Sequence, residues 1–211
     1  MTDVNQRDIG KAVINAAALV LVLSYALPYV YLLMTSLKPA ADVQQIPPHF
    51  FPESISFENF REVLVNSTLP HAFANSLIVA VLTTILSLIL ALPAAYVATQ
   101  YRRKLTVVFL LFALVTRMVP AVSLGVPLFQ LLKSLGLLDT VPGLVLAHTS
   151  TAVPLALLLL AAFFEGIPRD LEEAARMDGC TRFQAFRKII LPVMKSGIAI
   201  TALFSFIASW N

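Results

Sequence analysis

The chain has 211 residues, 58% hydrophobic and 13% charged, with a formal net charge of +3. Ordinary soluble domains carry about one-quarter charged residues, so the composition excludes a water-soluble globule and points to a polytopic membrane protein. The basic residues are divided among loops rather than clustered with aromatics, which sets nucleic acid aside; the single cysteine, Cys180, excludes an internal disulfide and reads as a small buried turn residue.

In chain order, a short polar stretch (1–11) precedes an apolar segment at 12–34. That segment is long enough to cross a hydrocarbon layer needing about 20 residues. It is longer than a signal-peptide core and lacks a small-residue cleavage site, so a retained membrane helix is expected. Residues 35–72 form the longest polar connection, where Pro39, Pro47, Pro48 and Pro52 oppose regular structure. Ser56 is placed to cap a short helix to about Val65, with Phe57, Phe60 and Leu64 on one side. His49 and His71 flank this loop without the converging ligands of a metal site, and no metal is expected. Apolar segments follow at 73–99, 105–132, 141–164 and 189–210. Backbone groups in lipid must be satisfied within the segment, and no stretch alternates like a barrel strand, so all five crossings are expected to be helical. Pro93, Pro120, Pro127 and Pro154 predict kinks within them.

Two polar positions inside these segments are candidates for a solute path. Arg117 falls near the middle of 105–132, where an arginine costs about 3 kcal/mol or more, and none of the 12 acidic residues lies in the core of a crossing. Its counter-charge is then water, a carbonyl, a partner or cargo; alternatively Pro120 ends the helix and leaves Arg117 nearer an interface. His148, with Thr149, Ser150 and Thr151, forms a polar patch that either packs helices or lines a cavity. Lys195, near the start of the last segment, is expected to snorkel.

Between the fourth and fifth segments lies a charged island, 166–192. Pro168 suits a first helical position, and Asp170, Glu172 and Glu173 follow where carboxylates meet the positive end of a helix dipole. A 3.6-residue period puts Leu171, Ala174, Ala175 and Asp178 on one small-residue face. Gly179 is placed for a left-handed helix stop. Thr181 and Gln184 have the spacing of a capping box, after which Phe183, Phe186 and Ile190 recur at i, i+3 and i+7. A plain connector needs only a few residues, so this elbow reads as a docking element rather than a solvated loop.

One set of loops holds Arg7, Lys11, Arg102, Arg103, Lys104, Arg169, Arg176, Arg182, Arg187 and Lys188; the opposite set holds Lys38, Arg61 and Lys133. The positive-inside rule puts the first set, with the amino terminus and the island, in the cytoplasm.

The run Glu173-Ala174-Ala175, Gly179, Ile189 and Leu191-Pro192 resembles the EAA signature of permease subunits of binding-protein-dependent ABC importers. Ile167-Pro168, Leu171-Glu172 and Met177-Asp178-Gly179 extend the likeness. Ser36-Leu37-Lys38-Pro39, Glu58-Asn59-Phe60, Asn75-Ser76-Leu77, Gly136-Leu137-Leu138-Asp139-Thr140 and Trp210-Asn211 are similar to the carbohydrate, or maltose-type, branch. The resemblance implies an all-α permease bundle in a bacterial-type inner membrane, its island being the coupling helix that seats in an ATPase subunit. It marks Glu172, Glu173, Ala174, Ala175, Met177, Asp178 and Gly179 as coupling residues, and implies as partners ABC ATPase subunits, a second permease subunit and an extracytoplasmic solute-binding protein. The family pattern continues past Trp-Asn into a sixth crossing, so five crossings are expected here.

No phosphate-cradling GxxxxGK[ST] loop is present, so ATP is expected on a partner and no cofactor in this chain. An intramembrane enzyme would need paired carboxylates, a Ser/His or Ser/Lys pair, or metal ligands at membrane depth. A secondary transporter working alone would show an internal repeat and a buried coupling carboxylate. Neither pattern is found, and no catalytic residue is expected.

Overall fold

The computed structural model describes residues 2–46, 48–101 and 103–210. Pro47, Arg102 and Asn211, with the side chains of Arg7, Arg103 and Lys104, lie outside the described residues, and so do the expectations placed on them. Among the described residues there are helices and turns and no strand. The chain divides into two compact units, Met1–His71 and Ala72–Asn211.

In the first unit, α1 (Thr2–Ser36) is one continuous helix through Pro28. Within this unit no residue of its apolar stretch Gly10–Ser36 is buried. Side chains such as Val20 and Leu32 stand more than half exposed, an arrangement that suits lipid and is costly in water. After α2 (Ala40–Val43) come α3 (Glu58–Arg61) and a π turn, Glu62–Asn66. The hydroxyl of Ser56 accepts from the Glu58 amide at 3.2 Å, but the helix is entered through Phe57, whose carbonyl takes its first bond, so Ser56 stands one residue before the cap expected of it. The Asn59 side-chain amide donates to the carbonyls of Ser36 (3.1 Å) and Lys38 (2.7 Å), so two separated sequence motifs close one loop.

The second unit contains most of α4 (Leu69–Tyr101), then α5 (Arg103–Met118), α6 (Ala121–Ser134), α7 (Val141–Glu165) and the elbow that leads to α11 (Lys195–Trp210). α1, α4 and α7 each hold a stretch long and apolar enough to cross a membrane. The expected crossing 105–132 is not one straight helix: it is α5 and α6, bent by 99° where Val119 and Pro120 leave the helix. Proline removes a donor and disfavours helical geometry in the residue before it, and hydropathy is blind to both effects.

The α6–α7 turn explains the Gly136–Thr140 motif. The Leu137 amide donates to Leu132 O (2.8 Å) and that of Gly136 to Lys133 O (3.1 Å), a Schellman closure with Gly136 at φ 67°. Thr140 then caps α7, its hydroxyl accepting from the Gly143 amide at 3.1 Å. A Cβ on Gly143 would lie 2.1 Å from Leu137 O, so only glycine fits there.

α7 packs against α5 and α11. The α11 face that is buried reads Gly197, Thr201, Ser205, Ser209, a four-residue spacing of small side chains that lets helices approach closely. Ala91, Ala95 and Tyr96 of α4, with Ala156, Leu160 and Phe164 of α7, join Ile167, Ile190 and Met194 in the core beneath the elbow.

Candidate coupling site

The elbow begins where α7 ends. Its first helix, α8 (Asp170–Met177), carries Asp170, Glu172 and Glu173 in its opening turn. It stops in a second Schellman closure: the Cys180 amide donates to Ala175 O (3.0 Å) and that of Gly179 to Arg176 O (3.1 Å), with Gly179 at φ 88°. The left-handed turn expected at Gly179 is therefore present. α9 (Arg182–Ala185) opens with a complete capping box, Gln184 N to Thr181 Oγ1 at 3.3 Å and Thr181 N to Gln184 Oε1 at 2.8 Å. A π turn, Phe186–Ile190, follows, then α10 (Leu191–Val193), and the path bends by 76° at Met194 into α11.

The small-residue face expected on α8 is divided by the fold. Glu172 and Ala175 point inward and are buried, whereas Leu171, Glu173, Ala174, Met177, Asp178 and Gly179 are exposed. An eight-residue helix spans little more than two turns, so periodicity leaves its rotation loosely determined. Glu172 is the residue most changed by this. Its carboxylate accepts a 2.7 Å hydrogen bond from the Tyr96 hydroxyl of α4, and both residues are buried. The Tyr96 ring stands 4.6 Å from Phe186 and 5.7 Å from Phe164, centroid to centroid. Two further bonds reach the same end of α4: Gln100 Nε2 to Phe164 O at 3.1 Å and Arg169 Nη2 to Thr99 O at 3.5 Å. Sequence reasoning passed over Tyr96; a tyrosine one turn before a polar helix end was the only local signal.

The expected i, i+3, i+7 stripe is also redistributed. Ile190 is buried and Phe186 half-buried, but Phe183 is 70% exposed, because the π turn inserts a residue and rotates the next helical turn relative to α9. Met177, at 88%, is the most exposed large apolar side chain of the elbow. The outward side of the elbow therefore pairs apolar Met177, Phe183 and Leu171 with charged Glu173 and Asp178.

Arg117 occupies the last turn of α5, beside the break at Pro120, where the negative end of the helix dipole favours a cation. It is exposed, and its guanidinium reaches Thr151 O at 3.4 Å. Arg117, Pro120, Pro127, Ser150, Thr151 and Pro154 are among the residues lining a cleft of about 620 Å³. A second cleft of about 410 Å³ shares Thr116, Ser150 and Pro154 and includes buried Thr149, whose hydroxyl has no hydrogen-bond partner among the described residues. His148 is not among the residues lining either cleft; its Nδ1 lies 3.0 Å from Ser209 Oγ, linking α7 to α11. The structure thus joins Arg117 to the Thr151 end of the polar patch and commits His148 to a helix contact. Among the described residues no group of three or more His, Cys, Asp or Glu side chains is arranged to hold a metal.

Comparison with known proteins accounts for this arrangement. Residues 85–211 match the family model described as binding-protein-dependent transport system inner membrane component. A trehalose transport system permease protein of Mycobacterium tuberculosis is 38% identical over 192 residues, covering 90% of this chain and 69% of that protein. A diacetylchitobiose uptake system permease protein of Streptomyces coelicolor is 31% identical over 202 residues, covering 96% of this chain and 73% of that one. Among solved structures, a chain of a bacterial ABC transporter involved in the import of the acidic polysaccharide alginate superposes with a TM-score of 0.81 at 28% identity, over 97% of this chain and 72% of its own. The EAA-like elbow, the helical spans and these matches agree: the chain belongs to the family of inner membrane components of binding-protein-dependent transport systems.

Proposed function

We propose that this chain is a permease subunit of an ATP-driven importer of a sugar or sugar-like solute. The cargo class is supported by the similarity to permeases named for trehalose and diacetylchitobiose and to the alginate importer. In this reading the amino terminus and elbow are cytoplasmic, following the charge asymmetry of the loops. ATP is bound and hydrolysed by separate ATPase subunits, and this chain holds no cofactor and performs no catalysis. A second permease subunit completes the bundle, and an extracytoplasmic solute-binding protein delivers cargo on the opposite side.

The observation that carries the reading is the outward face of the elbow. Met177 and Phe183 are 88% and 70% exposed on a segment that also exposes charged Glu173 and Asp178, and exposed apolar side chains beside charge are the composition of a protein contact. Glu173, Ala174, Asp178 and Gly179 complete that contact, while Glu172 and Ala175 hold the helix to the membrane spans. When the ATPases close on bound ATP they displace α8, and the capped α9 and the π turn carry the displacement into α11. Arg117 and His148 are the polar side chains assigned to the solute path; the cleft at Arg117 supports its part, whereas the bond from His148 to Ser209 favours helix packing.

The test is retention of the ATPase when the complex is purified through this subunit. Met177→Asp and Phe183→Asp each put a charge into the contact, and truncation-scale losses of about 2 kcal/mol at such anchors correspond to roughly 30-fold weaker binding. Undiminished retention in both variants refutes the docking face.

A further inference from the structure

We propose that Tyr96 is a positioning residue for transport: its bond to Glu172 makes α4 a further lever of the elbow, alongside the covalent paths into α7 and α11. This rests on the permease reading above. The elbow's covalent route to α11 runs through a capped helix, a π turn and a 76° bend, while residues 166–169 join it directly to α7. Tyr96 bypasses that route. Its hydroxyl donates to the buried Glu172 carboxylate at 2.7 Å, across 76 positions of sequence, and its ring lies against Phe186 of the π turn and Phe164 at the end of α7. One side chain of a spanning helix thus meets α8, the π turn and α7 at once.

The neighbouring bonds fit a transmitted load. Gln100 and Thr99, one turn further along α4, are tied to Phe164 and Arg169, on either side of the point where α7 gives way to the elbow. These bonds are accepted by backbone carbonyls near helix ends, and Arg169 itself directly precedes α8. The Tyr96–Glu172 bond grips the docking helix itself by a side chain, and a buried hydrogen bond to a carboxylate is directional and costly to break. Displacement of α8 is then felt by α4 in the same step as by α11, and the two spans move together.

The experiment is a double-mutant cycle in the assembled transporter in vesicles, reading solute taken up per ATP hydrolysed together with ATPase retention. Tyr96→Phe keeps the ring and its packing and removes only the hydroxyl. The expected result is normal retention with uptake per ATP reduced about tenfold, the factor set by loss of one such bond. In a Glu172→Ala background, Tyr96→Phe is expected to have no further effect, whatever else Glu172 touches. Wild-type uptake per ATP in Tyr96→Phe overturns the proposal, and so does the same tenfold fall in both backgrounds. Failure of Tyr96→Phe to assemble overturns it too, since the bond then serves folding and not transmission. Absence of any ATPase with the wild-type subunit would instead strike the permease reading.

Discussion

Gly179 and Gly136 allow the coupling role of the elbow to be separated from its folding. Each closes a helix in the same Schellman hydrogen-bond pattern, at φ 88° and 67°, and at neither does an added Cβ come within 4 Å of another group. Replacement by valine therefore meets no clash at Cβ, and the cost is backbone strain. A left-handed residue with a Cβ costs about 1–2 kcal/mol, with β-branched side chains at the upper end. That is a factor of roughly 5–30 in the population of the turn. The two variants should lower stability to a similar extent and insert normally. Only Gly179→Val should alter function, because only that turn sets the angle between α8 and α9; uptake per ATP is expected to fall by roughly the same 5–30-fold. The assay is transport and ATP hydrolysis measured together in vesicles, with retention of the ATPase as control. Undiminished uptake per ATP in Gly179→Val, or equal losses in Gly136→Val, would refute the argument.

Two further outcomes are expected from the geometry. Gly143→Ala places a methyl 2.1 Å from Leu137 O, so the α6–α7 turn must open; a loss of about 1–3 kcal/mol is expected, read as a lower melting temperature of the detergent-solubilised protein. Arg117→Cys, with native Cys180 replaced by serine, should react with a water-soluble thiol reagent if the cleft of about 620 Å³ beside Ser150 and Thr151 admits water. Quenching by lipid-borne probes alone would remove Arg117 from the solute path.

Local chemistry was legible in the chain wherever a residue type is nearly obligatory at a geometry. Gly179 stops its helix and Thr181 with Gln184 forms its box because few other residues satisfy those backbone groups. Apolar length likewise announced α1, α4 and α7 as spans. The break at Pro120 was visible as an alternative only, since averaged hydropathy runs through a 99° bend without a change. The π turn at Phe186–Ile190 was not legible, because one extra residue in a turn leaves no mark in residue type. His148 left helix packing and cavity lining both open in the sequence, and its partner, Ser209, 61 positions away, fits packing.

Composition, apolar run lengths and the capping residues determined by themselves that this is a helical membrane protein with a charged, capped elbow, since those features obey one-dimensional rules of transfer energy and backbone hydrogen bonding. Tertiary structure alone decided that Ala174 faces out and Ala175 in, and that Glu172 grips Tyr96 instead of meeting solvent. The rotation of a short helix about its own axis is set by what it packs against, and that neighbour is supplied by a span 76 residues earlier in the chain.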